Sequence, residues 1–226
     1  MMNDNRTHRN IAVVNGTNLK AVFDFGRQDV VECKLAISPV SIENARLNLR
    51  TEADGKSFDA IKSQAYEAWN KELGKMRVES GEHEKEIFYT ALYHTMIQPN
   101  VMSDANGEYM AADYSVRRLP VGQVHYSTFS LWDTFRAAHP LYTMLEPERS
   151  TDFVNSMIRQ YDYYGYLPIW QLWGQDNYCM IGNHAVPVVV DAILKGLPGI
   201  DVDKAYEAVK MSLTTPHLNS PFEVWD

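Results

Sequence analysis

The stretch FSLWDTFRAAHPLYTM, residues 129–144, carries apolar side chains on nearly every side of a helical projection. A helix lying on a protein surface confines such residues to one stripe, so this segment is predicted to be a helix packed on most of its circumference. VPVVVDAILKG, residues 186–196, reads the same way, with Pro187 in the first turn and Gly196 where the helix should stop. The neighbouring segments differ. From Ser150 onward Phe153, Val154, Met157, Ile158 and Tyr161 share one side, and after an Asp201 cap Val202, Ala205, Val209 and Leu213 do the same. Alternation of buried and one-sided helices predicts inner and outer helices of an α/α toroid.

Toward the N-terminus the helical period persists back to Ser57. Phe58, Ile61, Ala65, Ala68, Trp69 and Leu73 form one stripe after that cap, and Ile87, Phe88, Ala91, Leu92, Thr95 and Met96 form a second. Six predicted helices make three hairpins, about half of a closed ring. Residues 11–37 are different: Ile11 to Val14, Leu19 to Phe25 and Val30 to Ile37 are strand-like, separated by Asn15-Gly16 and Gly26. Three strands cannot close a sandwich and would leave a face and two edges uncovered. Together with an amphipathic end at Pro221 to Asp226, this predicts a piece of a longer polypeptide. Its inner helices would expose apolar surface, and the chain would be marginally stable or self-associating.

The 226 residues are 45% hydrophobic, enough for a substantial core, and Asp+Glu 29 against Lys+Arg 21 gives a formal charge of -8. That excess of negative charge argues against nucleic acid or an anionic membrane as partner and favours a neutral ligand. Five Trp and thirteen Tyr suit sugar rings, whose C–H faces stack on flat aromatic surfaces, though core packing uses them equally. Cys33 and Cys179 lack disulfide or metal spacing, Met1 to Arg6 has no signal-peptide character, and no run reaches transmembrane length.

Two loops entering the inner helices hold the candidate chemistry. In the first, Trp132, Asp133 and Arg136 stand at a helix start, and the spacing of three lets Asp133 and Arg136 share a ligand or pair with each other. The second, residues 167–184, brings Trp170, Trp173, Gly174, Gln175, Asp176 and Asn177 before a buried helix, a composition of flat walls, amides and a carboxylate that suits a sugar pocket. Both loops are expected at one end of the helices, lining one concavity. Asp104 to Glu108 faintly echoes a calcium loop but lacks its later ligands, and a hairpin turn explains it. His94 and His184 read as structural histidines.

YSTFSLWDTFR, residues 126–136, resembles a block of the family 92 glycoside hydrolases, which are α-mannosidases. FYTALYH at 88–94, CMIG at 179–182 and KAYEA at 204–208 are similar to that family too, and the match runs from about Val30 to the last residue. The resemblance implies an exo-acting, inverting, calcium-dependent enzyme, secreted or periplasmic, acting on mannose-containing oligosaccharides. It also implies a mostly α fold with a small β part: residues 1–45 the end of a β-sandwich domain, 46–80 linker helices, and 81–226 the first half of an (α/α)6 catalytic domain. WQLWGQDN at 170–177 places Asp176 where the family's stretch has its catalytic Glu. The side chain is one methylene shorter, so either the backbone shifts to let it protonate or the substrate differs in its leaving group. The roles implied are Asp176 as catalytic acid and Trp132, Asp133, Arg136, Trp173 and Gln175 as substrate-binding residues. The family's acidic block carrying the general base is missing from these 226 residues, so the base and most calcium ligands are expected elsewhere and the chain by itself inactive. The alternatives are a glycan-binding helical domain without turnover and a helical interaction domain without a sugar ligand.

Overall fold

A computed structural model of the chain describes residues 2–3, 6–7 and 19–217. Ile11 to Val14, the Asn15-Gly16 turn and the tail Pro221 to Asp226 lie outside the described residues. The chain divides into two compact units, residues 1–34 and 35–226.

The first unit holds one antiparallel pair, β1 (Met2–Asn3) and β2 (Arg6–Thr7). The strands expected over Leu19 to Phe25 and Val30 to Ile37 do not form. Phe23, Val30, Leu35 and Ile37 instead stand 75–86% exposed. An alternating segment becomes a strand only when its edge is paired and its apolar face covered, and the described residues supply neither.

The second unit is mostly helical with small two-stranded sheets. It begins with α1 (Ile42–Ala53), α2 (Phe58–Leu73) and α3 (Glu82–Thr95). Ser57 caps α2 as expected, its hydroxyl accepting from the Ala60 amide at 3.2 Å. The stripe of α2 meets α3 at Trp69, whose ring lies 4.6 Å from that of Tyr93, yet no α2 residue is buried.

Four short strands follow: β3 (Asn100–Val101), β4 (Glu108–Met110), β5 (Val116–Arg118) and β6 (Tyr126–Ser127), with β3 paired to β6 and β4 to β5. The segment 104–108 is a turn, as the sequence suggested: Gly107 N–H donates to the Asp104 carbonyl, and Ser103 bridges Tyr109. The Asp104 side chain is engaged within the protein. Its carboxylate accepts from Ser38, Asn44 and Asn48 and pins α1 to the turn.

The predicted helix 129–144 is broken into α4 (Leu131–Thr134) and α5 (Ala138–Leu145). The cause is Pro140. Inside a continuous helix it would remove a hydrogen bond and clash with the Arg136 carbonyl, whereas a restart at Ala138 puts it in a first turn. Next come α6 (Pro147–Tyr164), β7 (Gln171–Leu172) and β8 (Gln175–Asp176), α7 (Ala185–Leu194) and α8 (Val202–Thr214). Asp201 caps α8, accepting from the Lys204 amide at 3.0 Å.

The burial of the helices differs in part from the pattern read in the sequence. α6, read as an outer helix, packs against α5, α7, α8 and β6 and buries Phe153, Val154, Met157 and Ile158. Polar groups of this helix are buried as well, Ser150, Ser156 and Gln160; the Ser150 hydroxyl has no partner, while the other two do. Ser156 accepts from the Tyr126 amide and donates to the Asp152 carbonyl, and Gln160 joins a network described below. On the helices read as inner, Met144 and Leu194 are 70% and 81% exposed, apolar surface of the kind that three hairpins were expected to leave uncovered. On α8 the buried residues are Ala205, Ala208 and Ser212, while Val202 and Leu213 face outward. No helix among the described residues is long and apolar enough to cross a membrane.

Candidate functional site

The two loops singled out in the sequence lie side by side. The Phe129 amide donates to the Gln171 carbonyl at 2.9 Å, and the Gly174 amide donates to the Ser127 hydroxyl at 2.8 Å. The first loop is thus stitched to the hairpin β7–β8 at the start of β7, through backbone, and at the turn, through the Ser127 side chain.

That hairpin turns on Trp173 and Gly174, both left-handed, with φ of 50° and 82°. Two successive residues of this conformation make the two-residue turn that matches the strand twist, usually written with Asn-Gly. Gly174 is required twice over, since a Cβ would also lie 3.3 Å from the Met110 carbonyl. Trp173 is not built for the position: a left-handed L-residue costs roughly 1–2 kcal/mol. Its indole nevertheless stands 72% exposed at the tip and gains little packing in return. Thr128, Tyr178 and Met180, in or beside the same loops, are left-handed too, so most of the strained non-glycine backbone among the described residues gathers here.

Beneath the tip the hairpin is held firmly. Asp176 is buried, and its carboxylate accepts from the amides of Ile169 (2.7 Å), Trp170 (3.3 Å) and Tyr178 (2.9 Å) and from the Gln160 side chain (3.0 Å). Gln175 is half-buried and its side-chain carbonyl accepts from the Tyr164 hydroxyl at 2.8 Å. Both side chains face the protein.

In the first loop Trp132 is 39% exposed, and Asp133 and Arg136 are exposed. Asp133 and Arg136 do not pair with each other. The Asp133 carboxylate accepts a hydrogen bond from the Ser130 hydroxyl, while the Arg136 guanidinium lies over the Phe135 ring at 4.9 Å. Phe135 in turn stacks on His184, with centroids 4.2 Å apart and an interplanar angle of 11°. Burial, and then the Arg136 charge, push the His184 pKa down, favouring the neutral ring. Because α4 ends at Thr134, the helical spacing that would have brought Asp133 and Arg136 together is never completed.

Trp132, Asp133, Arg136 and Trp173 are therefore presented to solvent by adjoining loops, with Gln175 and Asp176 underneath. They form an open surface. A broad groove of about 760 Å³ lies elsewhere, along α2 and α3 beside Leu73, Glu82, Tyr89 and Tyr93. Residues that hold the loops in place escaped the sequence reading: Ser127, Gln160 and Tyr164. Their one signal was a polar residue recurring inside an otherwise apolar helix face, as Gln160 does three residues beyond Met157.

Comparison with known proteins fits this arrangement of helices and loops. The glycosyl hydrolase family 92 catalytic domain is matched over residues 44–224, and the chain belongs to that family. The family GH92 α-mannosidase BT3965 from Bacteroides thetaiotaomicron superposes with a TM-score of 0.75 and 39% identity, covering 77% of this chain and 24% of that one. The GH92 inverting mannosidase BT2199 from the same organism gives 0.70 and 35%, over 76% of this chain and 23% of its own. A secreted, uncharacterized glycosidase from Arthroderma benhamiae is 25% identical over 185 residues, 79% of this chain and 20% of the relative. The chain thus spans between a fifth and a quarter of the length of these relatives.

Proposed function

We propose that this chain is part of an exo-acting, inverting α-mannosidase, and that Trp132, Asp133, Arg136 and Trp173 contribute to the site for a mannose-containing oligosaccharide, with Gln175 supporting them from beneath. The observation that carries this reading is Trp173. An indole held at a strained backbone position, exposed at the tip of a hairpin anchored from below, is explained by a flat ligand stacking on it. The solved mannosidases, BT3965 among them in a complex with mannoimidazole, support the choice of sugar.

For Asp176 the hydrogen bonds support positioning more than proton transfer. A general acid needs an O–H aimed at the leaving oxygen, and both oxygens of Asp176 are turned toward N–H donors. That agrees with a substrate whose leaving group departs without a proton from this residue. In the whole enzyme we expect a partial (α/α)6 toroid completed by further hairpins, with residues 1–45 continuing a β-sandwich domain and 46–80 linking the two. Calcium belongs to the same proposal. Among the described residues no three His, Cys, Asp or Glu side chains stand together to hold a cation, so no step is routed through it here. Secretion of the parent follows the Arthroderma relative.

Replacing Trp173 tests the site. Asn tolerates the left-handed turn, so Trp173→Asn should keep or raise stability by up to about 1 kcal/mol. The same change should weaken α-mannoside binding at least about tenfold, the loss of one stacking contact. Unchanged affinity in a folded variant, read by calorimetry, would sink the assignment of Trp173.

A further inference from the structure

The buried hairpin β7–β8 contains a chain of amides whose orientation is forced. The Asp176 carboxylate only accepts, so Gln160 must turn its NH2 group toward it, at 3.0 Å. The Gln160 carbonyl is then left for the NH2 of Gln171, which donates to it at 2.9 Å. This fixes the last group in the row: the Gln171 side-chain carbonyl is buried with no hydrogen-bond partner. Gln160 and Gln171 are 2% and 1% exposed, so bulk water does not solve the problem. An orphaned buried acceptor is costly, and such groups normally reach an ordered water when no protein donor is near.

Beside this orphan is a cavity of about 10 Å³ bordered by Gln171, Gln160, His125, Arg159, Tyr109 and Gly174. By the same measure that is about the room one water needs. His125, 4% exposed, brings a second unpartnered atom, its Nδ1. Burial, and then the charge of Arg159, hold its pKa down at about 3, so the ring is neutral and Nδ1 can accept a hydrogen bond in the tautomer protonated at Nε2. Arg159 gives N–H groups to Gln123 and Ser156 and keeps others to donate. The wall thus offers two acceptors and one donor, the complement of a single water molecule.

We propose that this cavity binds one ordered water that donates to Gln171 Oε1 and His125 Nδ1, completing a buried relay, water to Gln171 to Gln160 to Asp176, that fixes the loop 167–184. The inference does not depend on what the loop binds. Asp176 and the two glutamines act as positioning residues, since Asp176 holds the amides of Ile169, Trp170 and Tyr178 that frame the hairpin.

Two measurements on the 226-residue chain test it. A crystal structure fine enough to show buried waters should place one in this cavity, within about 3.2 Å of both Gln171 Oε1 and His125 Nδ1; an empty cavity, or a water touching neither atom, overturns the water site. Amide hydrogen exchange in Gln171→Leu, which removes the water's acceptor and the donor to Gln160, tests the relay. Exchange at Ile169 and Tyr178 should quicken at least about tenfold, with the interior of α8 unchanged. No change at those amides, or equal acceleration throughout the chain, would show that Gln171 fills space without positioning Asp176.

Discussion

The purified 226-residue chain, supplied with calcium and an α-mannoside, is expected to release no mannose at enzyme-like rates. Inversion at the anomeric carbon requires a carboxylate base that activates water, opposite an acid and roughly 6.5–9.5 Å from it. Of the candidate site residues only Asp133 and Asp176 are carboxylates. One is engaged by the Ser130 hydroxyl and the other by three backbone amides and Gln160. Loss of general base catalysis alone removes about 10²–10⁴ in rate. A discontinuous assay of free mannose over hours reads the result directly, and turnover near that of a complete mannosidase would overturn the account of where the base resides.

A second large effect is expected on acidification. His125 and His139 are buried, and desolvation lowers their pKa values to about 3 and about 4, His125 with help from the charge of Arg159. In the unfolded chain each titrates near 6.5, so between that pH and the folded values the unfolded state binds more protons. Stability is therefore fully present above pH 6.5 and is lost as the pH falls toward 4. Each histidine's contribution approaches about 1.4 kcal/mol per pH unit below pH 6.5, so acidification from pH 6.5 to 5 should remove roughly 3 kcal/mol, a large share of a domain's stability. Glu72 adds a loss at lower pH. Partial burial pushes its carboxyl up, but hydrogen bonds from Lys75 and Arg149 outweigh it and hold the pKa at about 2, so its contribution fades between pH 4.5 and 2. Urea midpoints measured from pH 7 to 4.5 should fall steeply, and less steeply in His139→Phe. A flat profile would mean that the histidines are not buried in solution.

The contrast between what was legible and what was not has physical causes. Capping residues act over three or four positions, so Ser57, Asp201 and Gly196 marked their helix ends from sequence alone. The two loops were legible because Trp, Gly and amide residues together have little use in a core. Strands at 19–37 were misread because alternation states only what a segment could do if paired. The burial of α6 on its polar side was not legible because Ser156 and Gln160 look like a solvent face until their partners, Tyr126 and Asp176, are found 16 or more residues away in the chain. Pro140 was in plain view, but its effect on the helix 129–144 depends on where the helix restarts. Asp176 could be aligned with a catalytic position, yet its burial under three backbone amides is a property of the folded loop alone.

The central claim is that the loops at 126–136 and 167–184 form one sugar-binding surface. A crystal structure of the chain soaked with methyl α-mannoside tests it most directly. The account predicts the sugar stacked against Trp173, within reach of Trp132 and Asp133, and absent when Trp173 is replaced by Asn. A sugar bound along the α2–α3 groove instead, or no sugar at saturating concentration with both loops ordered and open to solvent, would contradict it.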